Sequence, residues 1–242
     1  MKILGIDEAG RGPVIGELII AGVMIEDQES PETISSTSKN AEKLNKSGVD
    51  IFYGVKDSKL LTHKKRIELD KKIKENSKFK IIEVSPQEID KALLSDHLNL
   101  NWLEANKQAD IINELNPDKA IIDCPSPNCS AYENYLRNLL KNKKIELVVE
   151  HKADLRYPAC SAASILAKVR REESMDKIKE KYGETGPGYP ANPITQKFLK
   201  ENKIVKMENL FLTFAVKFNG ISCGYGGSYV RYIYPEYEDV WR

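Results

Sequence analysis

Apolar and polar positions along this chain alternate between strand-like and helix-like stretches. Ile3–Asp7 and Leu18–Ile25 are dense in aliphatic residues and bracket a glycine turn. Residues 27–48, rich in Ser, Thr, Asn and Lys, predict a long flexible insertion loop. Phe52–Lys56 leads to Asp57-Ser58-Lys59, a turn and N-cap expected to open a basic helix. Lys80–Val84 reads as a short strand, and Pro86 to Leu115 carries helical periodicity through Ile89, Leu93, Leu94, Leu103, Ile111 and Ile112. Lys119–Asp123 and Ile145–Glu150 are further strands. After Pro158, Ala162, Ile165, Leu166 and Val169 fall at helical spacing within a run of small residues suited to close packing. Gly183–Pro193 is dense in Gly and Pro and predicts a structured loop. No internal repeat interrupts the series. The pattern is α/β, with a largely buried central sheet.

Composition adds bounds rather than a function. A chain of 242 residues, 41% hydrophobic, can bury a core of its own. The formal charge of +1 gives no global basic field. Between Lys59 and Lys80, nine Lys or Arg face Glu68, Asp70 and Glu75, which reads first as a solvated amphipathic helix and second as a phosphate-facing flank. Met-Lys followed directly by a strand leaves no room for a signal peptide, and no apolar run reaches the roughly 18–20 residues of a membrane span. A cytoplasmic protein without a membrane is expected. Cys124, Cys129, Cys160 and Cys223 lack paired CxxC spacing, which points to free thiols and away from zinc.

The chemistry gathers at strand ends. Asp7 and Glu8 close the first strand and run into Gly10-Arg11-Gly12. Asp123 closes another strand, and Asp154 follows a third through Glu150-His151-Lys152. In α/β sheets, sites form beyond strand ends, where loops converge. Acids from separate segments repel one another there unless cations neutralise them, which suits two divalent ions acting at phosphorus. Asp154 could instead cap the helix that follows it. No Ser–His or Cys–His pair suggests a nucleophile, and the scatter of His63, His97 and His151 argues against a histidine-built site, with His151 structural.

Together these motifs resemble a known family. Gly-Ile-Asp-Glu-Ala-Gly-Arg-Gly-Pro-Val-Ile-Gly at 5–16 resembles the opening signature of type 2 ribonuclease H, ribonuclease HII. Val55-Lys56-Asp57-Ser58-Lys59 with Leu-Leu-Thr resembles its second block, and Leu98-Asn-Leu-Asn-Trp-Leu-Glu104 its asparagine-rich helix start. Glu150-His-Lys-Ala-Asp154, Tyr157-Pro158 and Ser161-Ala-Ala-Ser-Ile-Leu-Ala-Lys168 resemble the fourth-acid block and its helix, in a style leaning to archaeal members. Gly186-Pro-Gly-Tyr-Pro-Ala-Asn-Pro193 resembles a Gly-Ser-Gly-Tyr-Pro-Ser-Asp-Pro loop, with Pro187 and Ala191-Asn192 as departures.

The resemblance implies an RNase H-like fold, a mixed sheet flanked by helices, with a small helical C-terminal portion. It implies a catalytic domain over 1–205 and a divergent extension over 206–242, whose Tyr225, Tyr229, Tyr232, Tyr234, Tyr237 and Trp241 could pack on the core or stack on bases. Asp7, Glu8, Asp123 and Asp154 would hold two Mg²⁺ or Mn²⁺ ions, with Asp7 bridging them. Cleavage would fall on the RNA strand of RNA–DNA hybrids and 5′ to ribonucleotides embedded in duplex DNA, leaving 5′-phosphate and 3′-hydroxyl ends. The backbone of Gly10, Arg11 and Gly12 would read the 2′-hydroxyl, aided by Tyr189. Ser58, Lys59 and Lys168 would touch phosphates. A packed loop anchor is the other reading of Tyr189, and a surface lysine that of Lys168. The expected chain is a monomer, with no sliding-clamp peptide recognised. Competing readings are another RNase H-like metal nuclease and a non-catalytic nucleic-acid-binding module.

Overall fold

A computed structural model of the chain describes residues 1–26 and 62–201. Strands β1 (Lys2–Ala9), β2 (Leu18–Glu26), β3 (Lys78–Val84), β4 (Lys119–Asp123) and β5 (Glu146–Glu150) form one sheet in the order β3-β2-β1-β4-β5. Between and after them run helices α1 (His63–Asn76), α2 (Pro86–Leu93), α3 (Leu100–Leu115), α4 (Cys129–Leu139), α5 (Ala153–Arg156), α6 (Pro158–Tyr182) and α7 (Pro193–Glu201). β1 lies antiparallel to β2 and parallel to β4, and β4 lies parallel to β5. The sheet is therefore mixed, as expected. Among the described residues no helix is long and apolar enough to cross a membrane.

Consecutive apolar residues explain why β1 and β2 are central. Ile3, Leu4 and Ile6 of β1 and Ile19, Ile20, Ala21 and Val23 of β2 are all buried, the signature of strands covered on both faces. The small-residue stretch of α6 packs Ala162, Ala163, Ile165, Leu166, Ala167 and Val169 with Ile19, Ala21 and Val23 and with Leu69 and Ile73 of α1. Contact with β1 is tighter still: a Cβ at Gly5 would lie 2.2 Å from the carbonyl carbon of Ala159 and the nitrogen of Cys160. Backbone meets backbone there, so no side-chain rotation can make room. Gly5→Ala should cost about 3 kcal/mol or more in denaturant unfolding; a cost within ~0.5 kcal/mol, the usual surface value, would contradict this packing.

The structure refines two boundaries. α1 opens at Thr62, whose hydroxyl accepts from Lys65 N at 3.4 Å. Asp57-Ser58-Lys59, the expected cap, lies outside the described residues, as do Phe52–Lys56, the 27–48 loop and the 206–242 extension with its boundary. Second, the helical stretch from Pro86 to Leu115 is two helices. Ser95 Oγ accepts from Leu98 N at 3.0 Å and His97 N at 3.4 Å, so a side chain competes for backbone donors and breaks the run.

The chain divides into two compact units. Among the described residues, one holds 1–9, 19–26, 62–83 and 101–170, and with them most of the sheet. The other is built, among the described residues, from Gly10–Leu18, Val84–Leu100 and residues 171–201. Its own core joins Ile15, Met175, Ile178 and Phe198, flanked by Val14, Tyr182 and Leu199.

Candidate active site

Parallel pairing places the first two acids. Ile6 is in register with Ile122, so the next residues, Asp7 within β1 and Asp123 at the end of β4, lie at the same level on neighbouring strands. On the far side Asp123 is in register with Glu150, from which the chain turns through His151 and Lys152 into α5. Lys152 adopts a left-handed conformation, φ 61°, that reverses the chain there. Its N–H donates to Asp123 Oδ1 at 2.8 Å, and that of Ala153 to the same oxygen at 3.4 Å. This turn delivers Asp154. Asp7, Asp123 and Asp154 consequently present carboxylate oxygens all within 4.8 Å of one another.

Two of these acids are deeply buried, Asp7 at 7% exposure and Asp154 at 4%. The Asp7 carboxyl is pushed up from 3.8 to about 6, first by burial and then by the charges of Asp123 and Asp154. The Ser164 hydroxyl of α6 and the Glu8 N–H, which donates to Asp7 Oδ1 at 2.8 Å, oppose the shift. A cluster of hard oxygen donors around a buried carboxyl whose pKa is raised fits a small divalent cation, since positive charge there relieves both burial and repulsion. Mg²⁺ and Mn²⁺ both accept such donors.

Glu8 is the fourth expected acid. It is half-buried on β1 and lies outside the tight group of three. Its charge reaches the Cys124 thiol, which burial, Cys129 and Glu8 together push up to about 12. Burial likewise raises the Cys160 thiol well above its ordinary value. Neither is a thiolate nucleophile. Lys168 is half-buried on α6, one helical turn beyond Ser164, and so projects from the face that carries Ser164. Ser58 and Lys59 lie outside the described residues.

The second unit organises the glycine turn that follows Asp7-Glu8-Ala9 in the chain. Gly10 has φ 101°, and a Cβ there would meet Glu17 O at 2.4 Å, so the turn itself demands glycine. Gly12 is different. A Cβ would sit 3.5 Å from Tyr189 Cε1, an ordinary contact, so the fold leaves this exposed position free to carry a side chain. Arg11 is half-buried between them. Tyr189, 48% exposed, lays its ring by Gly12 and is no buried anchor. The loop beneath it is tightly held: Val14 N donates to Gly188 O at 2.7 Å, and Thr195 Oγ1 accepts from Gly188 N and donates to Thr185 O. Asn192, one of the departures, caps α7 by accepting from Ile194 N and Thr195 N.

Two further residues support these placements without having stood out in the sequence. Ser164 hides among the alanines of α6, where only the position of Asp7 gives its hydroxyl meaning. Arg171 is a buried arginine in a charged stretch: its guanidinium donates to Glu17 O at 2.6 Å and Ile15 O at 3.0 Å. It occupies space beside Gly10, Gly16 and Gly188 that side chains there would fill. Burial lowers its pKa, offset in part by Tyr189 and Glu17.

Comparison with known proteins identifies the family. The Ribonuclease HII family model matches residues 4–214. Ribonuclease HII of Methanococcus maripaludis (strain C7) is 42% identical over 209 residues, covering 83% of this chain and 80% of the relative. The crystal structure of ribonuclease H2 from Pyrococcus horikoshii OT3 superposes with TM-score 0.68 at 39% identity, covering 84% of this chain and 88% of that one. Ribonuclease HII of Archaeoglobus fulgidus, solved in a complex with PCNA, gives TM-score 0.67 at 35% identity, with 83% and 86% covered. With its RNase H-like α/β fold and three converging aspartates, the chain belongs to the ribonuclease HII family, and is a metal-dependent endoribonuclease.

Proposed function

We propose that this endoribonuclease hydrolyses the RNA strand of RNA–DNA hybrids and nicks duplex DNA 5′ to embedded ribonucleotides, leaving 5′-phosphate and 3′-hydroxyl ends. The convergence of Asp7, Asp123 and Asp154 carries the reading, because phosphodiester hydrolysis needs charge neutralisation more than covalent help. Asp7, Glu8, Asp123 and Asp154 would hold two divalent ions, Mg²⁺ or Mn²⁺, which when bound activate water and offset charge on the departing 3′-oxygen. Asp7, close to both Asp123 and Asp154, would serve both ions. Asp123 is held in place by the N–H groups of Lys152 and Ala153. The Gly10-Arg11-Gly12 backbone reads the 2′-hydroxyl, which separates RNA from DNA, and Tyr189 hydrogen-bonds it. Exposure at Gly12 and Tyr189 supports that role. Ser58, Lys59 and Lys168 contact phosphates.

A cleavage assay on matched hybrid, single-ribonucleotide and all-DNA duplexes tests the assignment. Nicks 5′ to the ribonucleotide with all-DNA left intact are expected; cutting of all-DNA would favour a structure-specific DNase on this fold. Binding that persists in EDTA with no cleavage in Mn²⁺ would favour a non-catalytic module. Tyr189→Phe should lower kcat/KM on the single-ribonucleotide duplex about tenfold, the value of one hydrogen bond to a reacting substrate. An unchanged value would remove Tyr189 from recognition. In the cell this activity suits primer removal and excision of misincorporated ribonucleotides in the cytoplasm. A PCNA-type clamp is a partner to test, since the Archaeoglobus fulgidus relative was solved with one.

A further inference from the structure

Cys124, Cys129 and His151 take no part in the chemistry above, yet one ligating atom from each lies within 4.8 Å of the other two. They reach one another from three segments. Cys124 follows β4, Cys129 opens α4, and His151 follows β5. The register of Asp123 with Glu150 sets Cys124 and His151 side by side, and Cys124 N donates to Glu150 O at 3.0 Å. Asn128 fixes the start of α4 by accepting from Ala131 N at 3.0 Å, which holds Cys129 in place.

The histidine is oriented for coordination. Its Nδ1 lies 3.1 Å from Cys124 O. A carbonyl oxygen only accepts, so the proton it meets is on Nδ1, and Nε2 is the nitrogen left to act as a ligand. Nε2 lies 3.4 Å from Cys129 Sγ. Metal-binding histidines use this arrangement, one nitrogen tied to a backbone carbonyl and the other presented to the ion. A tetrahedral zinc ion with ordinary Zn–S and Zn–N bonds would set sulfur and nitrogen about 3.6 Å apart.

We infer that Cys124, Cys129 and His151 form a second metal site, built for a zinc-class ion and separate in its chemistry from the aspartate cluster. Two sulfurs and an imidazole select borderline or soft ions over Mg²⁺ and Mn²⁺, whereas the aspartates prefer the reverse. Binding releases the two thiol protons to solvent and leaves a fourth coordination position to water. The absence of CxxC spacing argued against zinc from the cysteines alone. The third ligand comes from a different strand, which spacing cannot register. An ion held here ties the residue after Asp123 to the turn that leads to Asp154, and so braces both acids.

Cobalt(II) is the probe, added to the full chain after chelator treatment. Native protein should show a near-ultraviolet thiolate-to-cobalt charge-transfer band that saturates at one equivalent and is displaced by Zn²⁺. Asp7→Asn should keep the band, because oxygen ligands do not produce it, and Cys223→Ser should keep it as well. Cys129→Ser and His151→Gln should each weaken binding about a hundredfold. In an Asp7→Asn background, Zn²⁺ should raise the Tm, and adding Cys129→Ser should remove that rise. A native chain with no thiolate band overturns the proposal, whether or not the variants fold. So does a band that survives both Cys129→Ser and His151→Gln, or one lost with Cys223→Ser.

Discussion

Asp7→Asn should abolish cleavage by about a hundredfold or more, about 2.7 kcal/mol of barrier, while making the metal-free fold more stable. The two effects share one cause. Burial and the neighbouring charges of Asp123 and Asp154 raise the Asp7 carboxyl from 3.8 to about 6, so between those values the folded chain holds a proton that the unfolded chain has released. Stability from this group is therefore full below pH 3.8 and lost as pH rises through about 6. Asparagine removes the charge at every pH. Without divalent ions the variant should exceed the native protein by up to about 3 kcal/mol above pH 7, and the difference should shrink in acid. Added Mg²⁺ or Mn²⁺ should restore the native protein and scarcely affect the variant. Denaturant unfolding with and without EDTA reads these shifts. Retained cleavage would contradict Asp7 as a metal ligand, and a metal-free native stability flat between pH 4 and 7 would contradict its raised carboxyl.

Arg171→Met should produce the other large effect. The side chain is buried and donates to the carbonyls of Ile15 and Glu17, and Ser174 Oγ bonds Glu17 Oε2 at 2.8 Å. Methionine preserves much of the volume and leaves both carbonyls without those donors, a loss of about 3–5 kcal/mol. Lysine should rescue little, because a single ammonium cannot reproduce the fork of the guanidinium. The damage should concentrate where the glycine turn and tyrosine loop meet. Protease sensitivity across Gly183–Pro193 should rise, and single-ribonucleotide cleavage should fall more than tenfold while the sheet's circular dichroism persists. A stability change below about 1 kcal/mol would mean the carbonyls find water instead.

Much of this was legible because strand ends and glycine turns announce themselves locally. Asp7 and Asp123 close runs of aliphatic residues, and those runs are the central strands. Asp154 was ambiguous between ligand and helix cap; the β5–α5 turn brings it to Asp7 and Asp123, a consequence of pairing that no single segment contains. The glycines of the Gly10–Gly12 turn read alike in sequence but differ in cause, one demanded by φ and crowding, the other open to solvent. The break between α2 and α3 was hidden because Ser95 ends the run through a hydroxyl, leaving apolar spacing intact. Arg171 and Ser164 escaped notice for a related reason: their value lies in what distant residues place beside them. Cys124, Cys129 and Cys160 are free thiols, as their spacing indicated, whereas the nearness of His151 to two of them comes from strand register, which spacing does not record.

Asp7 and Asp123 directly follow the paired residues Ile6 and Ile122 on adjacent parallel strands, so the ladder's spacing of about 4.8 Å sets how far apart their backbones are. Nothing in the long stretch of chain joining them enters that separation. Length changes in the connections between elements can therefore accumulate without moving one acid relative to the other. A single-residue slip of β4 against β1 would do what all those changes cannot, turning Asp123 to the opposite side of the sheet while leaving the strands paired.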